Sequence, residues 1–258
     1  MANTVYANKV IEAKAKDLLH TSVNTRSFMT IDDSLAQSAG MTKTVNVYTY
    51  EGTAEEVAAG KGNTNRGSIS YAGKDYTVKM IQQAFDYTDE DFLKDPSIVD
   101  NMLKGANQVM VNKMNSDFFA ECGKATLSHT LEGELSYDGI VDAISVLNVE
   151  DESKCFVLIP NSWKAEIRKD PDYKAARMGE VIYNGQVGSV AGLPVVPTRA
   201  LTDAAYVLTP EAVKLFLKKD IEIEQDRDAD TRTNSVYERT AYLVALEDAT
   251  KICKIVKA

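Results

Sequence analysis

From Ile98 to about Ala125 the apolar residues return at steps of three and four: Ile98, Met102, Ala106, Val109, Met110, Met114, Phe118 and Cys122. Asn, Gln, Lys and Asp fill the other side. That period marks one long helix with a single apolar face. Asp89 to Asp91, Pro96 and Ser97 supply helix-start signals ahead of it. About 28 residues at about 1.5 Å each make a rod of roughly 42 Å, well above the average globular helix. Met102, Met110 and Met114 sit at helical spacing and are read as core packing, not as a binding groove.

A different period precedes the rod. Residues 43–50 alternate strictly, Val45, Val47 and Thr49 against Asn46, Tyr48 and Tyr50, which is strand periodicity. Residues 51–73 then carry five glycines (Gly52, Gly60, Gly62, Gly67, Gly73) and little that could form a core. Residues 74–82 alternate again. Two strands around a long polar excursion predict a long hairpin with a flexible tip, and loops of this length are often functional. Upstream, residues 4–20 mix Val10, Ile11, Leu18 and Leu19 with Lys and Asp, as in a weak amphipathic helix or an extended arm. Residues 21–42, with Gly40 as a breaker, read as irregular chain.

Beyond the rod, helix and strand signals alternate. Tyr137 to Leu147 is a predicted helix with Ile140, Ile144 and Leu147 on one face. Cys155 to Ile159 is a short, wholly apolar strand, ended by Pro160 and Asn161, and Ser162 to Lys169 follows as a helix opened by Trp163, a core anchor. Val181 to Tyr183, Val190 and Val195 to Val196 are short strands among glycine turns, and Tyr206 to Leu208 is a buried strand. Pro210 to Leu217 reads as a short helix with Pro at its start. The end is β: Ile221 and Ile223 alternate with Glu222 and Glu224, Asp226 to Asn234 is a polar loop, and Val236 to Leu246 and Lys251 to Val256 are strands.

With 44% hydrophobic residues in 258, the chain can bury a real core. Charged residues, 26% of the chain, are spread along it, and the net charge of −9 disfavours a broad nucleic-acid-coating surface, which needs clustered Lys and Arg. Cys122, Cys155 and Cys253 form no CxxC pair, no apolar signal core opens the chain, and no run of 18 apolar residues could span a membrane. The motifs that invite chemistry fail on spacing. Around Gly60, Lys61 and Gly62 a phosphate loop would want Gly where Glu55 stands and Ser or Thr where Gly62 stands. His20 and His129 stand alone, without HExxH or a Cys/His cluster, and GxSxG is absent. Asp226, Asp228 and Asp230 begin like a calcium loop, but Thr231 and Tyr237 occupy its Gly and Glu places, which leaves a solvated acidic turn.

The order of elements resembles the Hong Kong 97-type capsid fold of tailed bacteriophages, shared with encapsulin shells. The most specific stretch is Tyr183 to Thr198, where Gly188, Val190, Gly192, Pro194, Val195 and Val196 are similar to the family's Gly-x-Val-x-Gly-x-Pro-Val-Val segment. Cys155 to Lys169 looks like the family's strand that ends in Pro/Asn and enters a helix; Arg239, Tyr242 and Asp248 to Val256 resemble its end. The resemblance covers nearly the whole chain and implies an α+β fold. Its parts would be an amino-terminal arm (1–42), an extended β-hairpin loop (43–84), a peripheral domain with a spine helix (85–135, the helix about 97–126), an axial α/β domain (136–205) and a return to the peripheral domain (206–258).

What the resemblance implies is a structural major capsid protein, not an enzyme, with no catalytic, cofactor or metal residues. It would assemble with itself, as hexamers and pentamers, into an icosahedral or prolate shell around double-stranded DNA, with no membrane. Because the chain opens at Met1 with a short arm, any scaffolding protein would be separate, beside a portal and decoration proteins. Assembly would take place in the bacterial host cytoplasm and the product would be the virion capsid. Lys61 lies in the loop from which some members crosslink covalently, but neither a partner Asn nor a catalytic Glu can be matched, so crosslinking is not expected. An encapsulin-like shell around a cargo enzyme is the alternative, with residues 8–20 as an inner helix. A hydrolase built on the α/β block lacks a nucleophile motif.

Overall fold

The computed structural model describes residues 24–176 and 188–258. In chain order the strands are β1 (Thr30–Asp32), β2 (Thr42–Glu51), β3 (Ser68–Thr77), β4 (Lys79–Thr88), β5 (Leu127–Leu131), β6 (Phe156–Pro160), β7 (Ser189–Val190), β8 (Leu193–Thr198), β9 (Ala204–Leu208), β10 (Val213–Asp228), β11 (Thr233–Leu246) and β12 (Ile252–Lys257). The helices are α1 (Asp89–Lys94), α2 (Ile98–Cys122), α3 (Tyr137–Leu147), α4 (Lys164–Lys169) and α5 (Pro171–Ala176). The strands form a four-stranded sheet β1-β10-β11-β4, a six-stranded sheet β5-β12-β9-β6-β8-β7, and the isolated pair β2-β3.

The rod is α2, 25 residues long, or roughly 37 Å at about 1.5 Å per residue. Just before it, Thr88 and Asp91 cap α1 reciprocally, each side chain accepting from the other's backbone N–H. The buried face of α2 is turned from the expected one. Val99, Leu103 and Val111 join Ala106, Met110, Met114, Phe118 and Cys122 in the core, Ile98 and Met102 are partly buried, and Val109 is 53% exposed. The helix is buried over a wide arc, because it contacts β4, β10, β11 and the turn at Asn24–Phe28, so a single narrow stripe was too simple a reading. Met110 and Met114 are core residues, as expected.

The six-stranded sheet separates two cores. On β6, Phe156 and Leu158 face the rod's cluster while Val157 and Ile159 face a second cluster with Ile140, Ile144, Trp163 and Ile167. A strand covered on both faces must be apolar at every position, which explains the unbroken Phe156–Ile159 run. Trp163 is buried as expected, with the Lys257 ammonium 4.5 Å from its ring centre. β7 and β8 join through Ala191 and Gly192, both at positive φ (51° and 82°), the backbone a tight primed hairpin turn requires. Gly188, Val190, Gly192, Pro194, Val195 and Val196 therefore hold the turn and strand that the motif suggested.

Several expectations are corrected. Pro210 to Leu217 is not a helix: β10 starts at Val213 and pairs with both β1 and β11. Val213 and Leu215 fill one core and Phe216 another, so tertiary pairing overrides the local Pro-led helix signal. Residues 74–82 are not one strand. β3 pairs with β2 through Thr77, and from Lys79 the chain belongs to β4 and pairs with β11. The 226–234 loop shrinks to residues 229–232. The stretch 21–42 holds the short strand β1, and β5 is a strand with no expectation attached. Residues 4–20 and Val181–Tyr183 lie outside the described residues.

Candidate functional site

The β2–β3 hairpin is clamped at its root and free beyond it. At the root Val45, Tyr76 and Val78 are buried against Leu35, Phe216, Ala241, Leu243 and Ala245. The Tyr76 hydroxyl donates to the Leu246 carbonyl at 3.2 Å, and the Val78 N–H to the Met41 carbonyl at 2.7 Å. This packing explains the switch in β11 from alternate to continuous burial at Ala241. From there Tyr242, Val244 and Leu246 face the rod's core and Ala241, Leu243 and Ala245 face the hairpin root. From Ser68 to Asp75 every β3 residue is exposed. Ten paired residues per strand give an arm of roughly 33 Å at about 3.3 Å per residue.

That free arm carries apolar side chains with nothing over them. Tyr71 is 70% exposed, Tyr50 64% and Ile69 51%, and Tyr50 stands directly opposite Ile69 in the register. Both sides of the neck are glycine, Gly52 and Gly67, and a Cβ on either would run into the Tyr50 ring. The glycines thus let the ring lie across the base of the tip. The tip holds itself by hydrogen bonds. The Glu55 carboxylate accepts from the Thr64 N–H and hydroxyl and from the Asn65 N–H, which keeps its pKa below the usual value. Asn65 donates to the Thr53 carbonyl at 3.1 Å, and Gly60 turns at φ 81° beside exposed Lys61.

The other sequence candidates stay apart. Asp228 accepts from Asp230 N–H and the Thr231 hydroxyl in the turn between β10 and β11, a solvated acidic turn. His129 sits on β5. Cys122, Cys155 and Cys253 are buried and free, and burial pushes all three thiols up. Among the described residues no group of three or more His, Cys, Asp or Glu could hold a metal ion, and no helix is long and apolar enough to cross a membrane. A cavity of about 800 Å³ opens between the end of α3 and the β9–β10 turn, lined by Leu127, Leu147, Val149, Pro210 and the charged Glu150 and Lys154 among others.

Among the buried carboxylates of the described residues, Asp117 and Glu238 gave no sign in the sequence. Asp117 on α2 accepts from Lys79 at 2.9 Å, Tyr242 at 2.8 Å and Lys113 at 3.2 Å, tying the rod to β4 and β11. Burial works to raise its pKa, but the three hydrogen bonds outweigh burial and hold it below the usual value. Glu238 on β11 is fully buried without a hydrogen-bond partner for either oxygen. A lone charged residue on an amphipathic pattern reads as solvated, so only the packing distinguishes these two.

A clamped hairpin, a long helix across a four-stranded sheet and a second α/β unit together define the Hong Kong 97-type capsid fold, and solved structures share it. A chain of Mycobacterium phage Che8 superposes with a TM-score of 0.69 at 14% identity, over 91% of each chain. A chain of the capsid of Cyanophage P-SCSP1u gives 0.72 at 11% identity, over 90% of this chain and 86% of that one. A virus-like particle from Pyrococcus furiosus gives 0.65 at 11% identity, over 97% of this chain and 100% of that one. No family model matches the sequence. In sequence the chain is 28% identical to the Major capsid protein of Staphylococcus phage phiMR11 over 240 residues, 90% of this chain and 86% of that protein. The chain thus has the Hong Kong 97-type capsid fold and is similar in sequence to a phage major capsid protein.

Proposed function

We propose that this chain is a shell-building subunit that assembles with itself, as hexamers and pentamers, into an icosahedral or prolate capsid around phage DNA. The observation that carries this reading is the arm: its root is buried in its own subunit, while Tyr50, Ile69 and Tyr71 beyond the root are exposed. A lone two-stranded hairpin is marginal in water, and a neighbouring copy supplies the surface it lacks. The role is structural, not enzymatic. The DNA is enclosed without sequence-specific contact, in keeping with the net charge of −9. A separate scaffolding protein, a portal and decoration proteins complete the particle, which assembles in the bacterial cytoplasm and becomes the virion capsid. In this scheme residues 1–42 are the arm, 43–84 the extended loop, 85–135 and 206–258 the peripheral domain, and 136–205 the axial domain.

Negative-stain microscopy of the purified protein, alone and with a scaffold partner, tests the proposal. Rings or closed shells are expected. A compact monomer under every condition refutes it. The likeness to the Pyrococcus furiosus particle keeps an encapsulin-like shell as a second reading, less favoured because the sequence relative is a phage protein. The contents separate them: DNA-filled heads with one portal vertex, or protein-filled shells.

A further inference from the structure

Glu238 stands near the middle of β11 with 0% of its surface exposed, and neither carboxylate oxygen has a hydrogen-bond partner. By the alternation of β11 it shares a face with Val236, Thr240 and Tyr242, the face turned to α2. Tyr242 meets α2 at Asp117. Steps of seven, four, three and four back along the helix from Asp117 give the buried, apolar Met110, Ala106, Leu103 and Val99, and the buried polar residue among them, Asn107, donates its amide to the Leu103 carbonyl at 3.0 Å. Across the sheet Glu238 is paired with Gln83 on β4 and Ile223 on β10, both uncharged. Thr240 offers no donor, because its hydroxyl donates to the Lys219 carbonyl at the irregularity in β10.

Several charged groups of β4, β10, β11 and α2 are paired elsewhere or exposed. Lys79 of β4 and Lys113 of α2 are held by Asp117 near the helix end. By strand alternation Glu222 and Glu224 of β10 lie on the opposite face of the sheet with Arg239, which pairs with Glu224 at 2.6 Å. Asp89 and Arg227 pair at the far end of the sheet, and Lys104 of α2 is exposed. An ionised carboxylate here would have neither partner nor water, and a buried group in that position gives up its charge or opens its surroundings.

We propose that Glu238 is a proton-operated catch between the long helix and the four-stranded sheet: protonated, it lets the layer close, and on losing its proton it forces the layer to admit water and loosen. Burial pushes its pKa from 4.5 to about 7. The folded value lies above the unfolded one, so the stability that protonated Glu238 contributes is fully present below about 4.5, declines as pH rises and is lost by about 7 and above. That shift corresponds to a fall of roughly 300-fold in the folding equilibrium. The inference stands independently of the shell-building role.

The full chain and its Glu238→Gln variant, which keeps the shape and removes the titration, are compared by urea unfolding from pH 4.5 to 8.5. The folding equilibrium of the original chain is expected to fall by roughly 300-fold more than that of the variant. Amide exchange, corrected for its intrinsic pH dependence, is expected to rise in α2 and β11 above pH 7 while α3 and β6 stay protected. Parallel pH curves for the two proteins overturn the proposal. If Glu238→Gln does not fold, Glu238→Met takes its place, and exchange in the original chain still decides: equal pH response of α2 and α3 overturns it.

Discussion

Replacing Tyr71 with serine separates folding from assembly. The side chain is 70% exposed in the subunit, so its removal takes nothing from the core. A neighbour covering that exposed part of a side chain worth about 200 Å² removes roughly 140 Å² from water, or about 3.5 kcal/mol at about 25 cal/mol per Å². Ordering the side chain and desolvating its hydroxyl oppose this by about 1.5 kcal/mol. The remaining 2 kcal/mol or so is roughly a 30-fold change in association. Light scattering against concentration should therefore show shell formation starting at a roughly 30-fold higher threshold, while the circular-dichroism melt of the subunit moves by less than about 0.5 kcal/mol. The control is Tyr76→Ser at the buried root, which should lower the melting temperature. An assembly threshold unchanged within about threefold for Tyr71→Ser would refute the reasoning, as would a lowered melt, because the exposed face would then be either idle or part of the subunit's own core.

Three further outcomes follow from the same geometry. Replacing residues 53–66, the tip between β2 and β3, with a short Gly-Ser turn should leave a folded subunit with native circular dichroism and abolish shells under the microscope. Met110→Asp places an unpaired charge at a position 2% exposed and should unfold the subunit, at a cost of about 3 to 5 kcal/mol by urea titration; a soluble variant with an unchanged melt contradicts the core assignment. Asp117→Asn should cost about 1 to 2 kcal/mol at neutral pH, a modest figure because Lys79 and Lys113 are half exposed and regain water. The folded pKa of Asp117 is lowered, so its contribution is present above about 3.8 and disappears as pH falls through the folded value. The variant's stability should therefore vary less with pH on the acid side.

Much of the element order was legible because local periodicity is set by the backbone itself. A 3.6-residue period over Ile98–Cys122, a two-residue period over residues 43–50 and the wholly apolar Phe156–Ile159 each admit few conformations, and each formed as expected. The turn at Ala191–Gly192 was equally local, since positive φ is a property of two residues. The long polar excursion with its glycines also marked the hairpin and its tip before any packing was known.

Other features existed only in three dimensions. Pro210 to Leu217 carries helix signals, yet it became the start of β10 because strands on both sides and cores on both faces outweigh a fraction of a kcal/mol of local preference. The exchange of partners at Val78, from β2 to β11, leaves no mark in a run that alternates throughout. The burial of Asp117 and Glu238 depends on α2 lying across β4 and β11, contacts between residues more than a hundred positions apart. Sequence determined which segments were helix, strand or arm, because those choices are made over a few residues. Tertiary structure decided which strands pair, which carboxylates lose their water and which tyrosine remains exposed, because pairing and solvent access are set by distant parts of the chain.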